Sequence, residues 1–219
     1  MKYCLSQRNT LRVLFMINKL RSMPVISQEI LTRIALLSPL VGGEWDIINN
    51  IYINNFKSSL KVQLLSIQDN KCAYCGLPFG ETGKTEIEHF APKGGVVRPK
   101  HPEFAFTIEN LVLACNLCNS PVKKGIFDTI EIKDPIYRNC TFKIVHPHLD
   151  DHSLHYEWPA GADSVLIRGI SDQGRESIRL FKLDSIHHTE ARTRLKLAAY
   201  LDIIPGGRDI VAAALAYRA

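Results

Sequence analysis

Two Cys-x-x-Cys pairs carry the strongest chemical signal in this chain: Cys72-Ala73-Tyr74-Cys75 and Cys115-Asn116-Leu117-Cys118. Paired thiolates at that spacing form knuckles, and two knuckles complete a closed tetrahedral zinc site. Between them lie Glu86-Ile87-Glu88-His89 and Asn110, and Asn119 directly follows the second pair. A carboxylate, a histidine and side-chain amides are the donors of a different centre, an open site for a hard divalent cation. A plain zinc ribbon used only for binding carries roughly 15 to 20 residues between its pairs. Here residues 76 to 114 intervene, so the filling reads as a functional insert.

The elements that must position these residues follow from periodicity. Ile26, Ile30, Ile34 and Leu37 recur at helical spacing and predict a helix over 25–39. Trp45, Ile48, Tyr52, Phe56, Leu60 and Leu64 predict a second over 44–69, with a stripe that packs as core. From Lys71 to Gly125, closely spaced glycines and prolines replace the helical period and indicate a loop-rich module with short strands. Such a stretch buries little by itself, and a structural metal would explain how it folds. Strands are expected at 129–133, 141–145 and 164–170, then helices at 172–183, 185–201 and 207–218. The expected organisation is a helical flank (1–70), a core (71–125) and a strand-rich, then helical part (126–219), packed as one domain.

The chain has 219 residues, 46% of them hydrophobic, and a formal net charge of +5 from 27 basic and 22 acidic residues. That balance suits a polyanionic partner without requiring one. Charged residues interrupt every apolar run, so no membrane span is expected. The first 24 residues lack a secretory pattern, and four of six cysteines sit in metal-type pairs, which together point to the cytoplasm.

These residues resemble the HNH endonuclease family, whose ββα-metal fold sets two strands and a helix around a divalent cation. The resemblance covers Lys71 to Gly125 and rests on Glu-x-Glu-His at 86–89, Asn110-Leu111, Cys-Asn-Leu-Cys-Asn at 115–119 and Lys123-Lys124-Gly125. Glu-His-Phe-x-Pro-Lys at 88–93 and His101-Pro102 ahead of Asn-Leu-x-Leu-x-Cys narrow it to the HNH effectors of Septu-type and retron-linked anti-phage systems. The resemblance implies an α+β fold with a Cys4 zinc knuckle pair and helical flanks. It implies His89 as general base, Glu88 and Asn119 as ligands of a catalytic Mg²⁺ or Mn²⁺, and Asn110 as the brace of the loop that orients the base. It places Asn119 at the start of a helix, and it implies an ATPase as partner and DNA as substrate, with RNA left open.

Around this frame other readings stay open. Glu86 could support the metal site or be solvated. Lys93, Lys123 and Lys124 are candidate phosphate contacts. His146, His148, His152 and His155, with Asp150 and Asp151, read as a structural or substrate-facing loop, since Pro147 breaks the run. The N-terminal segment (Arg8, Leu11, Arg12, Leu14, Phe15, Lys19) and the C-terminal helix (Ile210, Val211, Ala214, Leu215) are candidate docking surfaces, or core. Two competing functions are a non-catalytic zinc-stabilised nucleic-acid-binding module and a stand-alone restriction or homing nuclease.

Overall fold

A computed structural model describes residues 17–80, 83–120, 122–159 and 164–216. Helix α1 (Gln28–Ala35) opens under the Ser27 hydroxyl, which accepts from the Ile30 amide. The second expected helix is split. Glu44–Asp46 forms a single 3-10 turn, and α2 (Ile51–Ile67) begins afresh at Asn50. The Asn50 side chain accepts from the amides of Tyr52 (3.0 Å) and Ile53 (3.1 Å), a cap strong enough to end the preceding turn. The apolar stripe survives the break only in part: Trp45 still joins Phe56, Leu60 and Leu64 in the core, whereas Ile48, between the turn and α2, is exposed.

The short sheet at the centre is β1 (Thr85–His89) paired antiparallel with β2 (Leu111–Cys115). All five residues of β2 are buried, and alternate side chains serve opposite faces. Leu111 and Leu113 join Trp45, Phe56 and Leu64 on the α2 side. Val112 and Ala114 join Tyr74, Phe90, Phe142 and Phe181 on the other. Gln68, just past α2, extends this small sheet: it accepts from the Leu113 amide and donates to the Leu113 carbonyl, both at 2.8 Å. One side chain thus satisfies backbone groups that a third strand would otherwise pair.

The remaining strands are shorter than their sequence patterns. Strand β3 (Ile130–Ile132) pairs with β4 (Thr141–Phe142), and β5 (Tyr156–Glu157), which the sequence did not suggest, pairs with β6 (Arg168–Gly169). Helices α3 (Asp172–Phe181), α4 (Ile186–Leu201) and α5 (Gly207–Ala216) follow. The architecture is α+β. The helix expected at Asn119 is instead a run of bends and turns over the described residues 116–120 and 122–126. Reverse bonds hold that run: Asn119 N–H to Cys115 O (3.0 Å), Lys123 to Ser120 O (3.0 Å) and Lys124 to Cys118 O (3.2 Å). Residues 1–16 and the side chains of Val211, Ala214 and Leu215 also lie outside the described residues, and most of the expected docking surfaces with them; of the rest, Lys19 donates to the Leu149 carbonyl at 2.7 Å and Ile210 is exposed.

Candidate metal centres and catalytic cleft

The four paired cysteines meet. Cys72 and Cys75 precede β1, Cys115 ends β2 and Cys118 closes the following turn. Their sulfurs lie within 4.8 Å of one another, all buried, and they are the only such His/Cys/Asp/Glu cluster among the described residues. Cys75 and Cys115 sulfurs are 4.0 Å apart. Tetrahedral zinc with Zn–S near 2.3 Å requires sulfurs about 3.8 Å apart. The cluster therefore fits zinc in both donor chemistry and size. The sulfurs of Cys118, Cys72 and Cys75 crowd Cys115 and hold it well below the usual thiol range, so thiolate character is favoured there. The Cys115 amide also points at Cys72 Sγ (3.4 Å).

The second centre grows from β1. Cross-strand register puts Glu86 opposite Ala114 and Glu88 opposite Val112, while His89 stands opposite Leu111. The carboxylates therefore share one face and His89 takes the other, against the edge of Trp45 at 4.5 Å between centroids. His89 Nε2 donates to the Ala105 carbonyl at 3.0 Å. A carbonyl can only accept, so Nε2 carries the proton and Nδ1 is the basic nitrogen. Burial pushes His89 down to about 3, against the pull of the Ala105 carbonyl, with Lys93 and Lys124 adding to the depression. The imidazole is neutral at physiological pH.

Asn110 holds the loop that supplies the Ala105 carbonyl. Fully buried, it donates to Ala91 O (3.1 Å) and Phe104 O (2.9 Å) and accepts from the Ala91 amide (2.6 Å) and the Tyr137 hydroxyl (2.9 Å). All four of its polar valences are used, and the loop between β1 and β2 is closed at both ends. Asn119 lies beside the carboxylate face, its Nδ2 donating to Glu86 Oε2 at 2.9 Å. Glu86 is thus an orienting partner for Asn119, which leaves the amide oxygen to face another group. Glu88 and Asn119 carry oxygen donors of the kind that Mg²⁺ or Mn²⁺ takes.

The lysines divide. Lys124, expected on phosphate, is buried, ion-paired with Glu88 and donating to the His89 carbonyl at 2.8 Å. It is withdrawn from any surface that a nucleic-acid backbone could touch, and it offsets the burial that pushes Glu88 above the usual carboxylate range. Lys93 pairs with Asp46 at 2.7 Å. Lys123 is half-buried, with its charge felt at His188. What sequence reasoning missed is the cleft itself, about 440 Å³, where Glu88 and His89 meet Lys93, Arg98 and Lys100. The turn presenting Arg98 depends on Gly94 at φ 71°, where a Cβ would meet the Arg98 carbonyl at 2.3 Å. Glycine in Gly94-Gly95 was the available signal for a tight rim.

The histidine-rich stretch packs inward at three of its four histidines. His146, His148 and His152 are buried, and each Nε2 engages a hydroxyl or a carbonyl. They do not converge on a metal.

A zinc-type cluster thus flanks a strand that ends in Glu-His. Residues 72–125 match the HNH endonuclease family. The HNH segment thus runs from the first zinc-type cysteine to the end of the cleft. The chain is also similar to two curated relatives named Septu protein PtuB. The one from Bacillus mycoides (strain KBAB4) is 29% identical over 150 residues, covering 63% of this chain and 50% of the relative. The one from Bacillus thuringiensis is 34% identical over 131 residues, covering 59% of this chain and 43% of the relative. The chain thus spans about half the length of the curated relatives it matches. No helix among the described residues is long and apolar enough to cross a membrane.

Proposed function

We propose that this protein is a metal-dependent HNH endonuclease that hydrolyses phosphodiester bonds, with DNA as substrate. The observation that carries the reading is His89: a neutral imidazole, its Nε2–H fixed on a backbone carbonyl, next to a carboxylate in a cleft lined by three basic residues. A divalent cation held by Glu88 and Asn119 would supply charge stabilisation at the scissile phosphate.

The chain's own residues do the rest. Lys93, Arg98 and Lys100 draw the backbone into the cleft. His89 Nδ1 takes the proton of the attacking water, and the Ala105 carbonyl steadies the imidazolium through Nε2–H. An anionic phosphate in the cleft raises the basicity of His89 from its resting value, bringing the base into range as substrate binds. Glu86 holds Asn119, and Asn110 holds the loop. In-line attack leaves a 5′-phosphate and a 3′-hydroxyl. Zinc on Cys72, Cys75, Cys115 and Cys118 is structural in this reading.

The similarity to Septu relatives and the motif resemblance support a role as an anti-phage effector working in the cytoplasm with a partner ATPase. Phosphate contacts carry little sequence information, so a host needs another control on such an enzyme. The test is co-expression with an ATPase encoded beside it, followed by size-exclusion chromatography and a cleavage assay with added Mg²⁺ or Mn²⁺. Co-elution with low activity of the lone chain is expected. Separate elution with full activity in the lone chain would reject the partner, and no cleavage under any divalent condition, with or without the ATPase, would reject the nuclease.

A further inference from the structure

The histidine-rich stretch lies outside the HNH segment, yet one of its members is wired into it. His146 is fully buried, and its Nδ1 accepts from the backbone amides of His148 (3.1 Å) and Leu149 (3.3 Å). With Nδ1 occupied as an acceptor, the proton must sit on Nε2. Nε2 lies 2.9 Å from the Tyr137 hydroxyl, which therefore accepts from His146 and donates its own hydrogen to Asn110 Oδ1 at 2.9 Å. The Tyr137 hydrogen thus joins the Ala91 amide on Oδ1, while Nδ2 donates to the carbonyls of Ala91 and Phe104. Phe104 directly precedes Ala105, whose carbonyl holds His89. Every bond has one permitted direction, set at the far end by two backbone amides.

We propose that His146 and Tyr137 are positioning residues for the base His89, acting through Asn110 on the loop that carries the Ala105 carbonyl. Three observations favour this over simple core packing. Phe90, Phe142 and Tyr137 surround the His146 ring, so an apolar side chain would pack there; a histidine is needed only for its hydrogen bonds. Burial holds His146 well below its ordinary value, so the ring stays neutral and keeps one tautomer. The Asp150 carboxylate accepts from the His146 backbone amide at 2.7 Å and pins the turn that aims the ring.

The inference deepens the nuclease reading and rests on it. Tyr137→Phe removes one oxygen from a ring that otherwise keeps its place. In the full chain this variant should retain zinc and fold, while kcat falls by roughly ten- to a hundred-fold at unchanged KM, the cost of a misplaced reacting group. The direct readout is the ¹⁵N spectrum of His89, which should show a single Nε2–H tautomer in the parent and a mixture in Tyr137→Phe. His146→Gln, which keeps a donor and an acceptor, should fall between the two. An unaltered His89 spectrum or an unaltered kcat in Tyr137→Phe overturns the proposal. Should the parent protein cleave nothing, the nuclease reading fails by itself, and the His89 spectrum still decides whether the relay sets the tautomer.

Discussion

The two candidate metal centres are built by opposite means. The sulfur cluster is closed: four buried ligands from two turns meet within the main core, and nothing else is needed to complete it. The oxygen centre is open. Its carboxylate leans on a lysine, its amide leans on a second carboxylate, and its histidine borrows a carbonyl from a loop sixteen residues away. The first is a scaffold that depends on ligand identity alone. The second is a site whose geometry depends on neighbours, which is how a substrate can still enter it.

That contrast ranks the consequences of mutation. The largest belongs to the sulfurs: Cys72→Ser or Cys118→Ser should abolish zinc and cost the fold, because a stretch this rich in loops has little else to hold it. Elemental analysis should find about one zinc per folded chain, and well-folded protein without zinc would break the distinction. Next comes the buried ion pair. Lys124→Met strands Glu88 in the interior and should destabilise the protein by roughly 3–5 kcal/mol in urea unfolding. A loss under about 1 kcal/mol would mean that Glu88 has another partner.

The cleft rim should respond in binding rather than in folding. Arg98→Ala and Lys100→Ala should each weaken nucleic-acid binding and reduce the salt slope by about one, uniformly across sequences, in fluorescence anisotropy titrations. Smallest of all is Lys93→Met in its fold energetics. Its pair with Asp46 is partly exposed and should be worth no more than about 1 kcal/mol, in contrast to the enclosed Lys124. Equal losses for Lys93 and Lys124 would erase the difference between rim and interior.

The sulfur centre was legible in the sequence because spacing alone specifies a knuckle. The strand carrying Glu86, Glu88 and His89 was legible too, since alternation decides which side chain shares a face with which. The resemblance implies a brace at Asn110, but its particular hydrogen-bond partners come from distant segments that no motif names. Lys124 was not legible. A Lys-Lys pair reads as a solvated face, and only the turn tied to Cys118 shows that one of the two points inward. The break before α2 was hidden because the apolar stripe passes through it, and the cap at Asn50 outweighs periodicity there. Strand β5 escaped notice because two residues are too few for any alternation. The path from His146 to Asn110 depends on contacts between residues far apart in the chain, which no local pattern records.

In the proposed nuclease, catalysis and scaffold are separable, with His89 as the base and the sulfur cluster as the support. The most direct test is cleavage of DNA by parent and His89→Ala proteins of equal zinc content, each with the proposed partner ATPase present and Mn²⁺ added. The account predicts that His89→Ala stays folded and zinc-loaded while the rate falls by at least about 10²-fold. Undiminished cleavage by zinc-loaded His89→Ala protein would contradict it and place the catalytic base elsewhere.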